Sequence, residues 1–135
     1  GEGDYEGAFQ YWTKAAALGD MSAHHNLSCM YDEGGGVEKD KKTAVYHLEE
    51  AAIGGHPDAR YNLGLSEIKS GKSTRAVKHW IISANIGHDE ALAALEKGFR
   101  VGVVSTDYFE AAVRGHQAAV NATKSQQRDA AEKAE

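Results

Sequence analysis

The sequence predicts an all-α protein, a solenoid of antiparallel helix pairs. Its composition favours helix over sheet, because Ala, Leu, Glu and Lys are abundant, β-branched residues are sparse and the only proline is Pro57. The chain also repeats itself, since the segments that start at Ala15, Ala51, Ser83 and Ala111 can be laid under one another. Small residues at helical spacing that recur roughly every 34 residues are typical of stacked helical hairpins.

Equivalent positions in the four segments carry the same small residues. A glycine recurs at intervals of 36, 32 and 28 residues, and an alanine follows each glycine by four. The glycines are Gly19, Gly55, Gly87 and Gly115, and the alanines are Ala23, Ala59, Ala91 and Ala119. Upstream, Ala8, Ala44 and Ala76 align, as do Trp12, Leu48 and Trp80. We therefore expect a tight glycine turn between the two helices of each unit.

The second unit illustrates how each hairpin is built. Its first helix is predicted over residues 41–53, with an apolar stripe at i, i+4, i+7 and i+8. Its second helix is predicted to begin at His56-Pro57-Asp58, because Pro is tolerated in a first turn and Asp favours the positive helix end. The stripe of the first helix comprises Ala44, Leu48, Ala51 and Ala52, and the second helix directs Ala59, Leu63 and Ser66 inward.

We expect a single repeat domain over residues 1–135. Its units span about residues 4–39, 40–71 and 72–104. Residues 105–135 are predicted to form a C-terminal capping helix that begins near Ser105 or Thr106 as N-cap. The polar segment 124–135 gives this helix the polar outer face that the end of a repeat array requires.

The stretch "SGKST" at residues 70–74 resembles the end of a phosphate-binding loop. Such a loop has the form G-x-x-x-x-G-K-[ST] and lies on a strand-to-helix turn. Here Ser66 stands where the first glycine is needed, and the preceding residues lack the pattern of a strand. We therefore interpret Gly71 as the residue that closes the second helix of the middle unit.

The segment "NLSCMYDEGGGVEKDKKTAVYHLEEAAIGGHPDA", from Asn26, resembles the Sel-one-like repeat family, which is related to the tetratricopeptide repeats. The family pattern is N-L-G-x-x-Y, G-x-G-V-x-x-D and A-x-x-[YW]-x-x-x-A-A-x-x-G-x-x-x-A. Gly34, Gly36, Val37 and Asp40 supply the extra loop that distinguishes this family. The resemblance covers residues 4 to 105 and implies a right-handed α-solenoid.

The sequence departs from the family pattern in three places. Ser28 stands where the family has Gly, the second inter-unit loop lacks the G-x-G-V insert, and Glu96 replaces Gly in the third unit. We expect the third unit to pack less regularly for this reason.

Charge and cysteine content argue against several classes of function. The formal net charge is -5 at pH 7 and the basic residues do not cluster, so we expect neither a nucleic-acid partner nor an anionic membrane surface. The single cysteine, Cys29, can form no internal disulfide, which leaves an intracellular, reducing compartment as the default. The sequence carries no recognisable secretion signal or spanning segment, and Gly1 in place of Met leaves open that it is a piece of a longer protein.

No catalytic, cofactor or metal site is predicted. His25 and Cys29 share a helix face at i, i+4, but two ligands fall short of the four in a structural zinc site. His56, His88 and His116 each follow a glycine of a different unit, so the repeat separates them. Activation of Cys29 as a nucleophile would need an orienting third group that the sequence does not identify. We therefore predict that the chain is not an enzyme and holds no cofactor.

A binding groove is what the resemblance implies instead. In tetratricopeptide-like arrays, the helix with the N-L-G motif lines a concave groove that holds a protein or peptide. At 100° per residue, Tyr61, Leu65 and Ile68 fall opposite the inward stripe of their helix. This second stripe is either open for binding or covered by the adjacent unit, and the sequence leaves both alternatives. The predicted partner-binding residues are His25, Cys29, Asp32, Tyr61, Leu65, Ile68, Lys69, Lys97 and Arg100.

The sequence thus predicts a non-enzymatic interaction module, a scaffold or adaptor that binds a peptide or helix with acidic flanks. One alternative is a small-molecule-binding or hydrolytic role, although the β-lactam-binding relatives of these repeats depend on a disulfide in each unit. Another alternative is a homo-oligomer that assembles through its end faces, where the first helix carries Phe9, Tyr11 and Trp12.

Overall fold

The computed structural model describes residues 2–134, which form seven α-helices and no strand. The prediction of an all-α protein is confirmed. The helices are α1 (Glu2–Ala17), α2 (Met21–Glu33), α3 (Lys41–Ile53), α4 (Ala59–Lys69), α5 (Ser73–Asn85), α6 (Asp89–Arg100) and α7 (Thr106–Ala134). The chain divides into two compact units, unit 1 (Gly1–Leu63) and unit 2 (Gly64–Glu135), with the boundary inside α4.

Unit 1 is organised around α2, which packs against both α1 and α3. The start of α2 is fixed by Asp20, whose carboxylate accepts a hydrogen bond from the backbone N–H of Ala23 at 3.0 Å. The helix ends at Gly34, which adopts a left-handed conformation at φ +76°. Between these caps, Ala23 and Leu27 are buried against Ala16 of α1. Local capping therefore determines the length of α2, and its apolar face determines the partner helix.

The predicted first helix of the second repeat (residues 40–71) is confirmed, with α3 spanning Lys41–Ile53. Asp40 caps it by accepting hydrogen bonds from the Thr43 backbone N–H at 3.2 Å and from the Thr43 hydroxyl at 2.6 Å. The whole predicted stripe of α3 is buried, and part of it forms a core cluster with Ala59 and Leu63 of α4. Alanines contribute little apolar area each, so close helix approach is what makes this interface stable.

The start of α4 was predicted three residues too early. The helix begins at Ala59 rather than at His56, because residues 56–58 form a turn. In this turn the backbone N–H of Asp58 donates to His56 Nδ1 at 3.3 Å, and Ala59 N–H donates to the His56 carbonyl at 3.3 Å. Pro57 lies in the turn and not in the helix.

In unit 2, α5 packs against α6 and α7, and α6 also packs against α7. Gly64 is buried against Trp80, and a Cβ atom there would overlap the indole, at 2.6 Å from Cδ1 and 2.8 Å from Cε2. The glycine of the N-L-G motif therefore makes room for a tryptophan that is only 8% exposed. Ser83 of α5 is also fully buried. Its hydroxyl has no hydrogen-bond partner within the described part of the chain.

The predicted glycine turns between paired helices are confirmed, and the fourth equivalent glycine lies in the predicted C-terminal helix. Gly19, Gly55 and Gly87 have φ values of +90°, +86° and +91°, as expected for turns that exclude a side chain. Gly115 instead lies inside α7, a single helix of 29 residues. A Cβ atom at Gly115 would collide with Asn85 of α5, so this glycine serves close helix packing and not a turn.

Two other predicted boundaries are confirmed. Gly71 has φ +75° and lies between the end of α4 at Lys69 and the start of α5 at Ser73, so "SGKST" is an inter-helix turn. At the start of α7, the hydroxyl of Ser105 accepts a hydrogen bond from the backbone N–H of Tyr108 at 3.2 Å. Ser105 is thus the N-cap that the sequence predicted.

Candidate partner-binding surfaces

The predicted partner-binding residues of α2 differ in their surroundings. His25 is half-buried, and its ring stacks on that of His56 at a centroid distance of 4.2 Å and an angle of 11°. Asn62 Nδ2 lies 3.4 Å from His25 Nε2. Burial, and secondarily His56, lowers the pKa of His25, against a smaller opposite effect of Asp58. His25 is therefore neutral at pH 7 and is part of a packed contact with the α3–α4 connection.

Cys29 and Asp32 are both exposed on α2. Partial desolvation raises the pKa of the Cys29 thiol, and the nearby carboxylates of Glu33 and Asp32 raise it further. An activated cysteine has a lowered pKa, so this thiol has the opposite electrostatic environment to that of a nucleophile. Among residues 2–134, no group of three or more His, Cys, Asp or Glu side chains could hold a metal ion.

The predicted stripe on α4 is accessible to solvent over much of its length. Tyr61, at the unit 1 end of the helix, is half-buried. At the unit 2 end, Leu65 is 36% exposed and Ile68 is 42% exposed, and Lys69 is exposed. The adjacent inward residue Leu63 is only 5% exposed, so the two faces of α4 differ as the helical wheel predicted.

The predicted basic residues of α6, Lys97 and Arg100, are also exposed. Arg100 forms a salt bridge of 2.7 Å with Glu96, one turn earlier on the same helix. Glu96, which stands where the family has Gly, thus pairs with Arg100, one of the predicted partner-binding residues. Exposed pairs of this kind contribute roughly 0.3–0.5 kcal/mol, so this salt bridge constrains the Arg100 side chain only weakly.

The structure brings together a second set of residues that the sequence did not predict. Three helices of unit 1 line a cleft of about 440 Å³. Its lining includes small residues of α1 and five aromatic or imidazole rings. We call it the aromatic cleft and define it by Phe9, His24, Tyr31, Tyr46, His47 and Glu50.

Contacts between the rings hold the aromatic cleft in shape. Tyr31 stacks on His47 at a centroid distance of 5.7 Å and an angle of 11°, and Tyr46 meets the edge of His47 at 5.0 Å. Phe9 of α1 contacts Tyr31 edge-on at 6.1 Å. Edge-on and stacked geometries of this kind add roughly 0.5–1.5 kcal/mol per pair beyond area burial.

Two imidazoles form a hydrogen bond inside the aromatic cleft. His24 Nδ1 and His47 Nδ1 lie 3.0 Å apart, so one ring must donate an N–H to the other. Burial, and secondarily the neighbouring His24, lowers the pKa of His47, while Glu50 acts in the opposite direction. This pair is stable only while at least one ring is neutral.

Comparisons with known proteins agree with the helical repeat identified in the sequence. A family model described as Sel1 repeat matches residues 1–20 and 22–56. A crystal structure of a Sel1 repeat protein from Oxalobacter formigenes aligns with a TM-score of 0.73 and 29% sequence identity, over 84% of this chain and 49% of that one. These two findings support a Sel1-like repeat family for this chain. The all-α solenoid class predicted from the sequence is confirmed.

Sel1-like repeats are generally protein-interaction modules and typically non-enzymatic scaffolds. This Sel1-like chain spans about half the length of the Oxalobacter protein to which it is similar. Within residues 2–134, none of its helices combines the length and the apolar character needed to cross a lipid bilayer.

Proposed function

We propose that this Sel1-like chain is a non-enzymatic adaptor that binds a peptide or helix of a protein partner. The proposed surface consists of His25, Cys29, Asp32, Tyr61, Leu65, Ile68, Lys69, Lys97 and Arg100. The observation that carries the proposal is the exposure of Leu65 and Ile68, at 36% and 42%, on a helix whose other side carries the buried residues Ala59 and Leu63. Amphipathic partners bind such surfaces through apolar anchors at helical spacing.

The exposed apolar area sets the scale of binding. Complete burial of a Leu or Ile side chain contributes about 1.5–3 kcal/mol, so covering the exposed fraction of each contributes roughly 0.5–1 kcal/mol. One such residue changes affinity only several-fold. Two neighbouring anchors together with a tyrosine ring change it enough for a capture experiment to detect.

Charge and cysteine chemistry support the same proposal. Three exposed basic residues, Lys69, Lys97 and Arg100, favour a partner with acidic flanks. The raised pKa of the Cys29 thiol is unsuited to nucleophilic catalysis at neutral pH. We therefore propose a binding role for Cys29 and not a chemical one.

The test is affinity capture from the source lysate with the chain as bait. Tyr61→Ala with Leu65→Ala is expected to abolish the capture of a specific partner, and Lys97→Glu is expected to weaken it. Ile82→Ala with Ile86→Ala is the matched control, because these side chains are 45% and 51% exposed but lie outside the proposed surface.

All baits are checked by circular dichroism, so that loss of binding is separated from loss of fold. A partner lost with both double variants, or with neither, contradicts the assignment of this surface. A partner lost only with the Tyr61, Leu65 variant supports it.

A further inference from the structure

We propose that the aromatic cleft of unit 1 receives an arginine side chain of the protein partner. This inference rests on the proposed adaptor function and adds a specific chemical requirement to it. Its basis is a cleft with aromatic walls, one carboxylate and a volume of about 440 Å³.

Ring faces are available in the cleft. Tyr46 is 54% exposed, although it contacts both His24 and His47. An exposed tyrosine held by neighbouring rings keeps one orientation, so a ligand that stacks on it loses little side-chain entropy on the protein side. Cations bind favourably to such faces, and more strongly where water is excluded.

The charge of the cleft selects a cation. Glu50 is half-buried and is the one residue of formal charge among the described lining residues, which include no Lys or Arg. The imidazole of His47 does not oppose a cation, since burial and secondarily the neighbouring His24 lower its pKa. A carboxylate that is partly shielded from water attracts a cation more strongly than a fully exposed one.

Arginine fits this chemistry better than lysine. Its guanidinium is planar, weakly hydrated and able to stack on Tyr46 while it donates two parallel hydrogen bonds to the Glu50 carboxylate. A lysine ammonium is more strongly hydrated and cannot stack in the same way. The cleft volume of about 440 Å³ leaves room for one long side chain.

Metal binding by His24 and His47 is a weaker reading of the same cleft. Their Nδ1 atoms lie 3.0 Å apart, but no third His, Cys, Asp or Glu within the described residues completes a site. Two imidazoles already satisfied by their mutual hydrogen bond give a metal little to bind.

The first test is a titration of the chain with N-acetyl-arginine amide, followed by amide NMR spectra. We expect saturable shifts at Tyr31, Tyr46, His47 and Glu50 with a millimolar dissociation constant. N-acetyl-lysine amide should bind at least threefold more weakly, and the neutral isostere N-acetyl-citrulline amide should cause no saturable shift. Equal shifts with arginine and citrulline, or shifts only outside the cleft, overturn the proposal.

Two variants isolate the groups that matter. Glu50→Gln keeps the shape and removes the charge, and should weaken arginine binding at least fivefold. Glu49→Gln is its control, because it removes the same charge from an exposed neighbour outside the cleft. Tyr46→Ala should weaken binding at least threefold, whereas Tyr108→Ala, at a tyrosine of 60% exposure in unit 2, should not.

The same variants separate this proposal from the adaptor function. A partner that is lost with Tyr61→Ala, Leu65→Ala but retained with Glu50→Gln and Tyr46→Ala overturns the arginine cleft and leaves the adaptor intact. Loss with both sets supports the two proposals together. Loss with Glu50→Gln but not with the α4 variant supports the cleft and contradicts the α4 surface.

Discussion

Replacement of Gly64 by alanine tests whether the buried tryptophan of unit 2 dictates this glycine. Alanine gains about 1 kcal/mol over glycine in a helix interior. Against this, the new Cβ would lie 2.6 Å from Trp80 Cδ1, whereas carbon atoms pack at about 3.5–4.0 Å. The indole is 8% exposed and has to move by about 1 Å inside a packed interface. Overpacking of this kind costs about 1–3 kcal/mol, so we expect Gly64→Ala to lower the free energy of unfolding by about 1 kcal/mol net.

The assay is urea unfolding monitored by circular dichroism, with two comparisons. Gly7→Ala in α1 places its Cβ where no atom lies within 4 Å, so it should raise the free energy of unfolding by up to about 1 kcal/mol. One repeat earlier in the sequence, Ser28 and Leu48 occupy the positions equivalent to Gly64 and Trp80. In a Trp80→Leu background, Gly64→Ala should therefore be neutral or stabilising. Equal stabilisation by Gly7→Ala and Gly64→Ala in the unmodified background would refute the reasoning.

Two further predictions concern buried polar groups. Ser83→Ala removes a fully buried hydroxyl that has no hydrogen-bond partner in the described chain, and Ala51 occupies the equivalent position of the second unit. It should raise the free energy of unfolding by about 1 kcal/mol in urea titrations, and a loss of that size would mean that the hydroxyl is satisfied in solution. The folded pKa values of His25 and His47 lie below the usual 6.5, so unit 1 should be fully stable above pH 6.5 and lose stability as the pH falls below it. Melting temperatures at pH 7.5 and 5.5 measure this effect, and His47→Gln should reduce the difference; a melting temperature that rises on acidification would contradict it.

Features controlled by neighbouring residues could be predicted from the sequence. The bounds of α3 follow from Asp40 at its start and Gly54 after its end, both of which act within a few residues. The turns at Gly19, Gly55 and Gly87 follow from the same kind of local rule. The buried face of α3 follows from helical periodicity alone.

The features that were missed depend on contacts between helices. The aromatic cleft draws Phe9, Tyr31 and Tyr46 from three helices, and no spacing in the sequence relates them. The adjacent histidines of α2 were a signal, because His24 pairs with His47 and His25 with His56. The sequence alone does not identify these partners. Membership of the predicted partner-binding residues in one groove stays a prediction.

The continuous path of α7 past Gly115 shows that a repeat motif does not by itself determine a turn. After Gly19 and Gly87, the next residues Asp20 and His88 each accept a hydrogen bond from a backbone N–H and so start a new helix. After Gly115, the equivalent His116 lies inside α7, and its Nε2 contacts Asp89 of α6 at 2.7 Å. The same short string therefore precedes a new helix where the next side chain caps that helix, and it lies within one straight helix where the next side chain contacts a neighbouring helix instead. Anyone who lengthens such an array by design must therefore provide an available capping residue at each new junction as well as the repeat motif.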